Sequence, residues 1–94
     1  MNLFKKFPFQ DSPNTAVVTG VHVLDEKKPI LYVSHDDDDG CWQFLCGDEH
    51  NIEDSRVISL QEIYEIDKSI KDVARLEYGK CAYRKDENSK WIFQ

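Results

Sequence analysis

Two rhythms of apolar and polar positions divide this chain of 94 residues. Up to Ser59 apolar positions alternate with polar ones, the period of a strand with one buried face. From Leu60 they recur at helical spacing. The segment "TAVVTGVHVLDE" from Thr15 is rich in β-branched residues and sets Val17, Val21 and Val23 on one face, which predicts a first strand. "KKP" turns the chain, "ILYVSH" predicts a second strand, and "DDDDG" turns it again. In "CWQFLCG" Trp42, Phe44 and Cys46 alternate with Cys41, Gln43 and Leu45, a third strand. Asp39-Gly40 between alternating apolar runs is a strong hairpin signal, because glycine tolerates the positive φ of tight turns.

"DEHNIEDS" is a polar loop leading to a short strand at "RVIS". Ser59 with Glu62 then forms a capping box, each side chain satisfying a backbone N–H of the first helical turn. Leu60, Ile63, Tyr64 and Ile66 follow on one helical face. Asp67 ends this helix and starts a second short one, "KSIKDVARL", whose Ile70, Val73 and Leu76 face inward until Gly79 stops it. "KCAYR" and "WIFQ", joined by the turn "KDENS", close the chain as a hairpin. The expected fold is α+β: a single antiparallel (meander) β-sheet with one main helix and a short second helix on one face. Residues 1–14 read as a lead-in in which Pro8 and Pro13 prevent regular structure and Phe4, Phe7 and Phe9 are available to dock on the body. Residues 15–94 read as one α+β domain, with Trp42, Phe44, Trp91 and Phe93 mostly core.

Charge adds a second layer. The net charge is −6, and it is localised. Asp36, Asp37, Asp38, Asp39, Asp48, Glu49, Glu53 and Asp54 fall in one stretch without Lys or Arg, leaving ten acids against 12 bases elsewhere. A field of that sign repels nucleic acid and anionic lipid and steers basic partners inward. No apolar run reaches the length of a membrane span, and the start "MNLFKKFPFQDSPN" lacks the apolar stretch of a signal peptide, so a cytoplasmic location is expected. The three cysteines fit that setting as free thiols. Cys41 and Cys46 on one strand face opposite sides with Cα atoms roughly 16 Å apart, against the about 7 Å a disulfide allows.

The acidic run invites a calcium reading, which fails on ligand order. With Gly40 sixth in a calcium loop, His35 falls first and Cys46 twelfth, where oxygen ligands are required. Zinc is not indicated, since His35, Cys41, Cys46 and His50 form no C-x-x-C or H-x-x-x-H knuckle. A cysteine nucleophile needs an adjacent base, and the sequence places none of His22, His35 or His50 beside a thiol. There is no Gly-rich phosphate loop and no G-x-S-x-G. What remains is the acidic surface. It either protects a hairpin tip against edge-to-edge pairing or docks a basic partner.

The strings "ILYVSHD" and "DG-C-WQFLCG", followed by "RVISLQEIYEIDKSI", Gly79-x-x-Ala82-x-Arg84 and Trp91, resemble the DUF2185 group of small bacterial domains, classed among predicted immunity proteins of polymorphic toxin systems. The resemblance covers residues 16 to 93, and departs from the family pattern at Cys41, where Asp is common, and at Lys68, where Pro is usual. It implies a cytosolic, non-enzymatic α+β domain that neutralises a toxin by binding it, and it supplies no catalytic residues. The expected function is therefore a protein-binding module, an immunity-type inhibitor presenting Asp36 to Asp54 to a basic toxin or effector, without cofactor or metal. The rival is a small ligand- or metal-binding accessory protein using His22, His35 and the cysteines. A hydrolase is a remote third.

Overall fold

A computed structural model describes residues 7–94. The elements are β1 (Ala16–Gly20), α1 (Val21–Leu24), β2 (Tyr32–His35), β3 (Trp42–Leu45), β4 (Ser55–Ser59), α2 (Leu60–Ile66), β5 (Lys80–Tyr83) and β6 (Ile92–Phe93). Short 3-10 segments at Ile52–Asp54 and Lys68–Val73 complete the set. The strands form one six-stranded sheet in the order β4-β1-β3-β2-β5-β6.

That order corrects the expected antiparallel meander. The sheet is mixed: β1 runs parallel to β3, with Val18 opposite Gln43, while the other neighbours are antiparallel. The β2–β3 hairpin forms as expected, with His35 opposite Trp42 and Asp36 N–H donating to the Cys41 carbonyl at 2.9 Å. However, β3 slots between β1 and β2 instead of leaving β2 beside β1. Alternation within a strand reports which face is buried and carries no information about which neighbour its backbone selects. The parallel junction is clamped by Thr19, fully buried, whose hydroxyl donates to the Phe44 carbonyl at 2.7 Å.

The first predicted strand is also shorter than expected. It ends at Gly20, where an added Cβ would meet His50 Cε1 at 2.8 Å, and the chain turns at once into α1. His22 thus sits on a helical turn rather than on a strand, and Val23 reaches the core from there. The later elements follow the sequence closely. Ser59 Oγ accepts from Glu62 N–H at 3.1 Å and Glu62 Oε1 accepts from Ser59 N–H at 2.9 Å, closing the capping box of α2. Leu60, Ile63, Ile70 and Val73 are fully buried and join Val17, Val33 and Phe44 in one core. The second short helix takes 3-10 geometry, entered through Asp67, whose carboxylate accepts from Ser69 N–H at 2.9 Å.

Phe9 belongs to the core and meets Trp42 and Phe44 edge-on, while Phe7 packs edge-on against Tyr64. Phe4 lies outside the described residues. Trp91 is only partly buried and Phe93 is 55% exposed, so the closing hairpin contributes less to the core than its alternation suggests. No helix among the described residues is long and apolar enough to cross a membrane.

A buried guanidinium ties the second half together. The Arg84 side chain is 2% exposed and donates to Ile30 O at 3.0 Å, Ser69 Oγ at 2.9 Å and Asp67 Oδ2 at 2.8 Å. Its guanidinium carbon lies 4.2 Å from the centre of the Trp91 ring. The group thereby joins the entry to β2, the junction after α2 and the last hairpin. Removing one partner of such a pair leaves the other charge poorly solvated. Arg84→Met is expected to lower stability by about 3 kcal/mol in urea denaturation, with partial recovery when Asp67→Asn is added.

The capping carboxylate also predicts a pH response. Hydrogen bonds from the backbone N–H of Ser59, and then from its side chain, hold Glu62 below its ordinary 4.5. Its contribution is therefore present above about pH 4.5 and is lost as pH falls through the lower folded value. An acid titration of stability should show this decline, and Glu62→Gln should flatten it while leaving the Asp86 contribution, lowered likewise by Ser89, in place.

Candidate functional site

The end of the sheet that carries the β2–β3 turn bears an open groove of about 640 Å³ between the lead-in Phe7–Asp11 and the chain from Ala74 to Tyr78. Its aromatic floor follows from strand parity: Val33 and His35 of β2 and Trp42 and Phe44 of β3 all point inward. Cross-strand register then sets His35 against Trp42, with ring centres 3.9 Å apart and planes 16° from parallel. Tyr78 leans on the same histidine at 4.5 Å.

Hydrogen bonding fixes the chemistry of this floor. His35 Nδ1 lies 2.8 Å from the Leu76 carbonyl. A carbonyl only accepts, so Nδ1 carries a proton, which in a neutral imidazole makes Nε2 the acceptor nitrogen. Nε2 is buried and has no hydrogen-bond partner. Trp42 Nε1–H donates to Asp11 Oδ2 at 2.9 Å, which anchors the lead-in. Gly79 N–H donates to His35 O at 2.7 Å, and Gly79 adopts φ +79°, bending the Glu77–Lys80 turn against the end of β2. The acidic tip touches that turn. A Cβ on Gly79 would sit 3.4 Å from Asp37 Oδ2, and one on Gly40 3.4 Å from the Tyr78 ring.

The eight acids named from the sequence do not form one face. Asp36, Asp37, Asp38 and Asp39 lie at the groove end, whereas Asp48, Glu49, Glu53 and Asp54 lie beyond the other end of β3. Several are engaged. Asp36 accepts from Gln43 at 3.3 Å, Asp39 Oδ1 from Cys41 N–H at 2.9 Å, and Asp48 pairs with Lys28 at 3.3 Å. Asp37, Asp38, Asp39, Glu49 and Glu53 are exposed.

That far end gathers two histidines which sequence did not bring together. His22 has Nδ1 3.3 Å from Glu26 and Nε2 3.5 Å from Asp54, yet neither nitrogen makes a hydrogen bond of good geometry. These are close contacts without a hydrogen bond, since directionality and not distance alone defines the bond. His50 Nε2 lies 2.8 Å from Ser55 Oγ, with its ring 6.4 Å from that of His22. A serine–histidine relay also needs a group that orients the other ring nitrogen, and no hydrogen bond to His50 Nδ1 is present among the described residues. Among those residues no group of three or more His, Cys, Asp or Glu is spaced to hold a metal ion. His22 and His35 stand at opposite ends of the sheet, and all three cysteines are free.

Burial first, then the carboxylates of Asp39 and Asp36, push the Cys41 thiol above its ordinary 9.0. It is therefore protonated at neutral pH, the opposite of an activated nucleophile.

Comparison of the chain with models of known families, with curated proteins and with solved structures finds no match. The groove is thus read from its own chemistry. Asp11, Glu77 and Tyr78, which shape it, carry no periodic signal in the sequence, and only Gly79 announced that a turn lay there.

Alkylation of Cys41 by iodoacetamide, followed in a Cys46→Ala/Cys81→Ala background, should have a rate still climbing at pH 9.0. A rate that levels off below about pH 8 would contradict the assignment.

Proposed function

We propose that this protein is a non-enzymatic binding module of the immunity type, which neutralises a basic toxin or effector in the cytoplasm by holding it against an acidic surface. The observation that carries this reading is the exposed tip Asp37–Asp39 beside an open aromatic groove. Clustered carboxylates steer a basic protein toward that end of the sheet and accelerate encounter. Tyr78, which is exposed, and the partly buried Phe7 offer aromatic contact area beside them, the kind on which protein interfaces most depend. The net charge of −6 acts in the same sense, and the resemblance to the DUF2185 group points the same way. An accessory role in which His22, His35 and the cysteines hold a ligand or metal has less support, because these residues are spread over both ends of the sheet.

Affinity capture from the native cells tests the reading. The wild-type chain is expected to recover a basic protein whose retention falls as salt rises from about 0.05 to about 0.5 M. Asn at positions 37, 38 and 39 should slow association by about tenfold. Amide replacement of Asp48, Glu49 and Glu53 should leave it unchanged. Equal capture by both sets of variants would remove the tip from the account.

A further inference from the structure

We propose that the groove beside the hairpin tip is a socket for one arginine side chain of the protein partner. The inference rests on the binding-module reading and deepens it, since it names what the groove recognises.

The donor and acceptor inventory points to a cation. His35 is 7% exposed, its Nδ1–H is committed to the Leu76 carbonyl, and its Nε2 is a buried acceptor without a partner. Asp11 uses one oxygen for the Trp42 indole and keeps lone pairs free, and Glu77 adds an exposed carboxylate. The Trp42 Nε1–H is already taken by Asp11. The carboxylates of Asp11 and Glu77 outnumber the Arg75 guanidinium in the lining, so the groups together favour a ligand that brings hydrogen-bond donors and positive charge.

The aromatic surfaces narrow the choice further. Trp42 and His35 are buried and stacked on each other, whereas Tyr78, 63% exposed and 4.5 Å from the His35 ring, offers an accessible aromatic face in the groove. A planar guanidinium stacks on such faces while its edge donates in several directions, which a lysine ammonium cannot match. Free arginine would bring its own carboxylate toward Asp37–Asp39, whereas arginine within a chain brings none. Arg75 is the opposing charge on the groove. It is exposed and also lines the neighbouring depression with Asp72 and Glu77.

The test is an NMR titration of isotope-labelled protein with the capped tripeptide Gly-Arg-Gly. Its citrulline and lysine counterparts and free L-arginine serve as comparisons. Saturable shifts at His35, the Trp42 indole, Tyr78 and Gly79 are expected, with citrulline weaker by about tenfold or more and lysine and free arginine in between. The His35 Nε2 resonance should move as it accepts a hydrogen bond. Arg75→Ala should tighten binding about twofold and Glu77→Gln should weaken it.

Equal shifts for arginine and citrulline, or shifts centred on Glu49 and Glu53, would overturn the socket. So would retention of the captured basic protein by Glu77→Gln and Tyr78→Ala variants when the Asp37–Asp39 variant has lost it, a result that leaves the broader reading intact. Saturation by the arginine peptide with no basic protein captured would do the reverse, keeping the socket and removing the inhibitor reading.

Discussion

The placement of β3 decides the rest of the molecule. This strand is held between a parallel neighbour, β1, and an antiparallel one, β2, with the Thr19 hydroxyl bonded to the Phe44 carbonyl across the parallel side. Its inward residues Trp42 and Phe44 are buried, as is Cys46 just past its end, and its two ends carry the chain into different surroundings. At the start is the acidic turn, and beyond the finish is the His50 loop. A stretch of acids that is continuous in sequence is therefore divided across the sheet, and each half acquires its own neighbours.

The groove depends on segments that are distant in sequence being brought to the first of those ends. Phe9 and the Asp11–Trp42 hydrogen bond fasten the lead-in over one side. On the other side, the chain leaving the 3-10 helix is drawn in by Leu76, which buries its side chain and gives its carbonyl to His35. At the far end of β2 from the groove, Arg84 joins the Asp67 junction to the chain entering that strand. The recessed histidine thus has one nitrogen satisfied by backbone and one left over, a product of packing rather than of any local motif.

Much of the fold was legible where the signal is local. Alternation identified β2, β3 and β4, the Ser59–Glu62 box placed the start of α2, and the inward face of "KSIKDVARL" anticipated Ile70, Val73 and Leu76. What escaped was the choice of neighbours, because a strand's side-chain pattern is the same whichever backbone it pairs with. Gly20 escaped too. The β-branched run around it favours extension, but the turn into α1 is enforced by Val23 reaching the core and by His50 lying close against the glycine. For the site, His35 and Trp42 could be placed on facing strands from their positions. The lead-in and the turn at Tyr78 that convert their surface into a recess are non-local and left no trace in the spacing of residues.

The contact between the two turns constrains this end of the sheet. A Cβ on Gly40 would come within 3.4 Å of the Tyr78 ring and one on Gly79 within 3.4 Å of the Asp37 carboxylate, so the two turns lie within contact distance of each other. Both glycines sit at positive φ, where a side chain is strained whatever the space, so the shape of the two touching turns depends on these two positions remaining glycine.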